Sequence, residues 1–304
     1  MAASCGDGGG ILVSYRVLLF LGFLFLVSCA NADTWPLAPG SGVFQFSDPK
    51  GPSGKPIAVA YYLPNKWLPK SPILFVMHGI DRNSETYRDI WIPYAEQLNA
   101  LLICPCFSEE AYPGSSYANG ALFAADKSSL PPEAWGLMVI EHLFDFIRGA
   151  TGAKREGYWL YGHSAGAQFV HRLVLLLPES RCQLAIAANA GAYTMPRSDV
   201  AFPLGLMNVP AKVAPRREAF SRRMIVLLGE KDTDPNHKHL SHSSALDKQG
   251  LFRLERGQNF FATAQAAAKD DGVVLAWKQV VVPGAEHSNK QMAVAAADIF
   301  KGEK

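Results

Sequence analysis

The chain is poor in charge: 18% of its 304 residues are Asp, Glu, Lys or Arg, and they leave a net charge of only +2. Its basic residues are scattered rather than gathered into a stripe, which argues against nucleic acid as a partner. An acidic tail is missing too, as is any self-similar period of solenoid length. Cysteine is sparse, with five in all, and Cys104-Pro105-Cys106 lacks the two-residue spacer of a redox or zinc pair. Cys104 and Cys106 therefore read as small buried hydrophobes at a strand end, with one disulfide to Cys182 left open for an oxidising compartment. Nucleotide, flavin and haem fingerprints are absent, so no cofactor is implied.

The apolar run near the start, Val17 to Val27, is shorter than the roughly 20 residues needed to cross a bilayer. Arg16 precedes it and the small residues Ser28, Cys29, Ala30, Asn31 and Ala32 follow, which is the pattern of an export leader over residues 1–32. Two endings fit. Ala30-Asn31-Ala32 suits cleavage before Asp33, whereas Leu26-Val27-Ser28-Cys29 resembles a lipoprotein box in which lipid on Cys29 would tether the mature protein to a membrane surface. Either ending makes the protein exported, whether periplasmic, extracellular or lipid-anchored, and an uncleaved anchor is the remaining alternative.

What the remainder does contain is a regular alternation, 49% hydrophobic overall, fitting one large α/β domain over residues 33–304. Val43 to Asp48 and Ile57 to Leu63 read as an antiparallel entry hairpin around a Pro/Gly-rich turn. Apolar strands follow at Ile73 to Met77, Leu101 to Pro105, Tyr158 to Tyr161, Leu184 to Ala190, Met224 to Leu228 and Trp277 to Val282. Helical patterns fall between them at Ser84 to Ala100, Pro132 to Ala150, Ala165 to Leu177, Asn259 to Lys269 and Ser288 to Phe300. The order predicts a mostly parallel, doubly wound sheet flanked by helices. Right-handed crossovers would then put every parallel strand's carboxyl end on one rim.

Gly162-His163-Ser164-Ala165-Gly166 sits between a strand and a helix, as a nucleophile elbow does. Its turn is crowded, and the two glycines keep side chains away from an exposed Ser164. Two more groups at strand ends complete a nucleophile, acid and base order. Asp232 is the first choice of acid, with Asp234 in reserve, and His287 is the base that would take the serine proton. Glu286 is expected to face solvent. The backbone N–H groups of Ile80, after the strand end His78-Gly79, and of Ala165 are the candidate oxyanion donors.

The ordered set His78-Gly79, Gly162 to Gly166, Asp232 and His287 resembles the α/β-hydrolase superfamily, and within it secreted esterases of the polyhydroxybutyrate depolymerase and feruloyl esterase type. It departs from them where Ile80-Asp81, rather than more glycines or a cysteine, follows the His-Gly pair. The resemblance implies the α/β-hydrolase fold and a serine carboxylic-ester hydrolase acting on a small-molecule or polymeric ester. With the same residues an amidase, a peptidase or an acyltransferase is also open, and so is a non-catalytic binding protein on the same fold.

Two stretches are longer than a connection needs, Phe107 to Pro131 and Tyr193 to Ser221, and both should overhang the rim. Neither is long enough for a full cap domain. Tyr112, Tyr117 and Tyr193 are expected to line the substrate cleft, the alternative being that they pack the loops onto the sheet. Of the remaining histidines, His142 and His171 read as surface or packing residues on helices, and His78 and His163 as rings bonded to nearby backbone. His237, His239 and His242 lie close to Asp232 and Asp234. A metal is nonetheless not expected there, because serine chemistry needs none.

Overall fold

A computed structural model describes residues 37–124, 126–209 and 216–303. The leader expected over residues 1–32, with Cys29, lies outside the described residues. Eight strands form one sheet: β1 (Gly40–Phe46), β2 (Ile57–Leu63), β3 (Ile73–Met77), β4 (Leu101–Pro105), β5 (Tyr158–His163), β6 (Cys182–Ala188), β7 (Met224–Gly229) and β8 (Lys278–Val282). Their spatial order is β1-β2-β4-β3-β5-β6-β7-β8. β1 and β2 pair antiparallel, β2 joins β4 antiparallel, and every later pairing is parallel. The expected entry hairpin and parallel sheet are therefore both present.

The strand sequences follow from this placement. β3, β4 and β5 are buried at every position, because a central parallel strand has helices over both faces and needs a continuous apolar run. β1, at an edge, alternates instead. The helices are α1 (Ser84–Leu98), α2 (Ser116–Asn119), α3 (Val139–Thr151), α4 (Ala165–Leu176), α5 (Arg216–Ser221), α6 (Arg253–Asp270) and α7 (Asn289–Lys301). Residues of α1 and α7 pack one face of the sheet around Trp91 and Phe300, while residues of α2 to α6 share the other with Phe144, Phe169 and Phe260.

Two helix starts differ from the expectation. Residues 132–138 are two short 3-10 turns, because Trp135 is extended and buries its ring, with its indole N–H donating to the Leu130 carbonyl. α3 proper begins only at Val139. α6 starts at Arg253, six residues before the expected Asn259. Its first turns bury two arginines, Arg253 and Arg256, and press Gly257 against Leu228, so the buried face there is not apolar and carries no hydrophobic periodicity.

Candidate active site

Ser164 occupies the turn between β5 and α4 with φ 58° and ψ −115°, a conformation that non-glycine residues rarely adopt. Such strain persists only where the surroundings over-determine it. Both flanking glycines are required by contact. A Cβ at Gly162 would overlap the Gly166 carbonyl, and one at Gly166 would overlap the Met77 carbonyl and come within 2.7 Å of the His78 carbonyl. The elbow is therefore wedged against the end of β3, the strand that leads into the Ile80 turn.

The three widely separated strand ends meet at this serine. His287 Nε2 stands 3.2 Å from Ser164 Oγ, and His287 Nδ1 is 2.8 Å from Asp232 Oδ2. Asp232 is 3% exposed, whereas Asp234 lies on the exposed surface and accepts the Asn236 backbone N–H. Of the two acids, the structure brings only Asp232 to His287. Glu286 is exposed. Burial lowers the His287 pKa below its ordinary 6.5, with Arg253 and His239 pushing the same way and the bond and charge of Asp232 opposing them. The ring is thus held largely neutral at pH 7, as a proton acceptor must be.

Asn189, which sequence reading missed, sets the height of the histidine loop. At the end of β6 with φ 52°, it accepts the Gly229 N–H and donates to the Glu286 carbonyl. Its signal was an asparagine, a residue type that tolerates positive φ, inside the otherwise apolar run Leu184 to Ala190.

Ile80 borders the cleft that holds Ala165 as well as the cavity that holds Ser164 and His287. Ala165 opens α4, where first-turn N–H groups have no intrahelical acceptor. The His78-Gly79 turn is fixed by the His78 ring, whose Nδ1 donates to the Gly79 carbonyl while Nε2 accepts the Phe107 N–H. Burial lowers the His78 pKa to about 4, which suits this neutral tautomer. His171 repeats the device between Ala167 and Thr194, and burial holds it neutral as well. His142 is half-buried and pairs with Asp48. His163 differs from the expectation: Nδ1 meets the Tyr87 hydroxyl, not backbone, at 3.1 Å.

The tyrosine expectation is corrected at Tyr112 and Tyr193. Tyr112 and Tyr193 are core residues, the first against Phe107 and the second stacked on Phe260 with ring centroids 4.5 Å apart. Tyr117 is buried too, stacked between Phe107 and Phe169, with its hydroxyl donating to the His78 carbonyl; it touches the cleft while supporting the His78-Gly79 turn. The reason is that long loops need a hydrophobic anchor of their own, and these rings supply it. A cleft of about 400 Å³ does lie between the two loops, with Gln168, Arg172, Leu204, His239 and Leu246 among its walls. A second of about 380 Å³ lies on the His287 side. Arg172 is buried without a carboxylate, donating to Thr194 Oγ1 and to the carbonyls of Ala118, Gln168 and Pro203; burial lowers its pKa to about 9.

His242 is engaged by Asp247 and the Pro235 carbonyl, and His237 by Arg253. Among the described residues, no group of three or more His, Cys, Asp or Glu is placed to hold a metal ion. Cys104 and Cys182 are buried free thiols and Cys106 is a half-buried one, so the disulfide left open by the sequence is not formed. No helix among the described residues is long and apolar enough to cross a membrane.

No protein-family model and no curated protein matches this chain. Solved structures do. Poly(aspartic acid) hydrolase-1 from Sphingomonas sp. KT-1 is 40% identical with a TM-score of 0.83, the match covering 86% of this chain and 99% of that one. LpqC, a poly(3-hydroxybutyrate) depolymerase from Bordetella parapertussis, is 31% identical with a TM-score of 0.82, covering 88% and 92% respectively. An S-formylglutathione hydrolase from Agrobacterium tumefaciens, 17% identical with a TM-score of 0.56 over 87% of this chain and 95% of that one, shares the fold. With its strand order, its serine elbow and these two relatives, the chain belongs to the α/β-hydrolase superfamily, among the hydrolases that resemble polyhydroxybutyrate depolymerase.

Proposed function

We propose that the protein is an exported serine hydrolase that cleaves carboxylic esters through an acyl-enzyme intermediate, with Ser164, His287 and Asp232 as the triad. The observation that carries this reading is the continuous chain of contacts from Asp232 through His287 to a strained Ser164. Ser164 Oγ attacks the ester carbonyl as its proton passes to His287 Nε2, and Asp232 stabilises the imidazolium that results. The N–H groups of Ile80 and Ala165 receive the carbonyl oxygen as it becomes anionic. His287 then returns the proton to the departing alkoxide, leaving an acyl-Ser164 ester. Water, deprotonated by the same His287, attacks that ester, the carboxylic acid leaves and Ser164 recovers its proton. These steps use only groups of the chain and water, so the reading needs no cofactor.

Likeness to a poly(3-hydroxybutyrate) depolymerase supports an oligomeric or polymeric ester as substrate. The leader over residues 1–32, with Cys29 as the lipid-bearing residue if the lipoprotein ending is used, supports work outside the cytoplasm. A second reading, cleavage of amides by the same residues, is favoured by one finding: the relative at 40% identity is a hydrolase of poly(aspartic acid), an amide-linked polymer.

Initial rates on p-nitrophenyl esters of increasing acyl length, for the wild type beside Ser164→Ala, test the proposal. Ester turnover lost in the variant is the expected result. A folded wild type that turns over amides but no ester would move the assignment to the second reading, and equal rates in the two proteins would remove Ser164 from the chemistry.

A further inference from the structure

Two other imidazoles pack against the His287 ring. His163 lies on one side with ring centroids 4.6 Å apart and planes 35° apart, and His237 meets it edge-on at 5.0 Å and 70°. His163 belongs to the elbow and is buried, with Nδ1 occupied by Tyr87. His237 comes from the exposed loop after Asp232, where such a ring would ordinarily be free to turn. It is held instead at Nδ1, which accepts the His239 backbone N–H at 3.2 Å and lies 3.2 Å from Nη2 of Arg253, the first residue of α6. The same guanidinium approaches the oxygen of Asp232 that His287 does not use, with Nη1 3.4 Å from Oδ1 and both side chains at most 2% exposed. The main chain reinforces the join, because the Leu254 N–H donates to the Asp232 carbonyl.

We propose that Arg253 and His237 are positioning residues for the triad: one guanidinium holds both the free oxygen of Asp232 and the ring of His237, and His237 so held packs with His163 against the His287 imidazole and limits its movement. The inference rests on the serine-hydrolase reading above and adds the groups that set the orientation and basicity of its base. Arg253 also imposes a direction on His287. A cation behind the carboxylate competes for Asp232 and repels an imidazolium, so it favours neutral His287. Facing His287 from the elements around it are Ser164 and His163 from the elbow, Asp232, His237 and His239 from the loop after β7, and Arg253 from α6, while Asp81, Lys238 and Lys290 border the same cavity. Of these, Asp232 and Arg253 are the buried charged pair. His237 is kept neutral chiefly by its partial burial and by the Arg253 charge, which lets Nδ1 accept.

The test compares kcat, KM and the pH dependence of kcat/KM on one small p-nitrophenyl ester for the wild type and five variants, with circular dichroism and unfolding midpoints for each. His237→Ala is expected to lower kcat about tenfold with KM within twofold, since a slightly misplaced base slows chemistry more than binding. His237→Phe, which restores a ring but not the acceptor nitrogen that Arg253 holds, is expected to recover only part of that loss. Arg253→Met is expected to move the acid limb of kcat/KM up by about one pH unit, and Arg253→Lys, which keeps the charge, to leave it near the wild-type position. The fifth variant, Ser164→Ala, separates the two levels of the argument. If it stays active, the serine mechanism and this inference fall together. If it is dead but His237→Ala keeps kcat within twofold, or loses only in KM, the positioning role is overturned alone. An unmoved acid limb in folded Arg253→Met would overturn it equally. Should Arg253→Met fail to fold, the His237 pair on its exposed loop decides the question.

Discussion

Replacing Gly166 by alanine adds one methyl group at the tightest point of the elbow. Its Cβ would overlap the Met77 carbonyl and sit 2.7 Å from that of His78, and neither oxygen is the tip of a flexible side chain. Relief requires the end of β3 and the His78-Gly79 turn to move away from α4. Overpacking of this kind costs about 1–3 kcal/mol, against which the lower entropy of an unfolded alanine returns about 0.5–1 kcal/mol. A net loss of about 1 kcal/mol lowers the melting temperature by roughly 2–4 °C in a domain of this size. The functional effect should be larger in proportion, because the displaced turn carries the Ile80 N–H. One oxyanion donor is worth about 10² to 10³ in kcat. The assay is thermal unfolding plus kcat on a p-nitrophenyl ester, with Gly149→Ala as control. Gly149, within α3, has nothing within 4 Å of its would-be Cβ, so alanine there should stabilise by about 0.5–1 kcal/mol and leave kcat alone. Wild-type stability and kcat in Gly166→Ala would refute the wedge between elbow and oxyanion turn.

The triad acid is separable by two amides: Asp232→Asn should lower kcat by about 10⁴ while Asp234→Asn, on an exposed side chain that only caps Asn236, stays within twofold. Because the folded protein depresses the His287 pKa below 6.5, and the base must be neutral, the acid limb of kcat/KM should have its midpoint below pH 6.5; a midpoint at or above that value would contradict the site's electrostatics. Stability has its own acid window. His78 resists protonation down to about 4 while its unfolded form takes a proton near 6.5, so its contribution is complete above 6.5 and about 3 kcal/mol is lost as pH falls to 4. Buried His163 and His171 act in the same sense, and a urea midpoint that did not drop between pH 7 and 4.5 would count against all three. Tyr193→Ala should cost about 3–5 kcal/mol of stability and leave KM unchanged in the folded fraction, the reverse of what a cleft residue would do.

Local chemistry was the part most legible in the sequence. Two glycines around Ser164 announce a turn because backbone clashes require them, and this needs no knowledge of distant residues. Asp232 and His287 could be located because a parallel sheet gathers its carboxyl ends on one rim. What could not be read involved partners chosen by the tertiary structure. Arg253 falls in a polar stretch before the expected helix, and only the docking of α6 under the Asp232 loop buries it. The tyrosines of the long loops looked like cleft residues for the opposite reason, since an aromatic ring in a loop is equally suited to holding that loop down.

The central claim is that Ser164 is a nucleophile activated by His287. Its most direct test is exposure of the folded protein to a fluorophosphonate, followed by intact mass and peptide mapping. Our account predicts one adduct per chain, located on Ser164, abolished in Ser164→Ala and slowed by orders of magnitude in His287→Ala. An unlabelled wild type, or an adduct on any other residue, would contradict it.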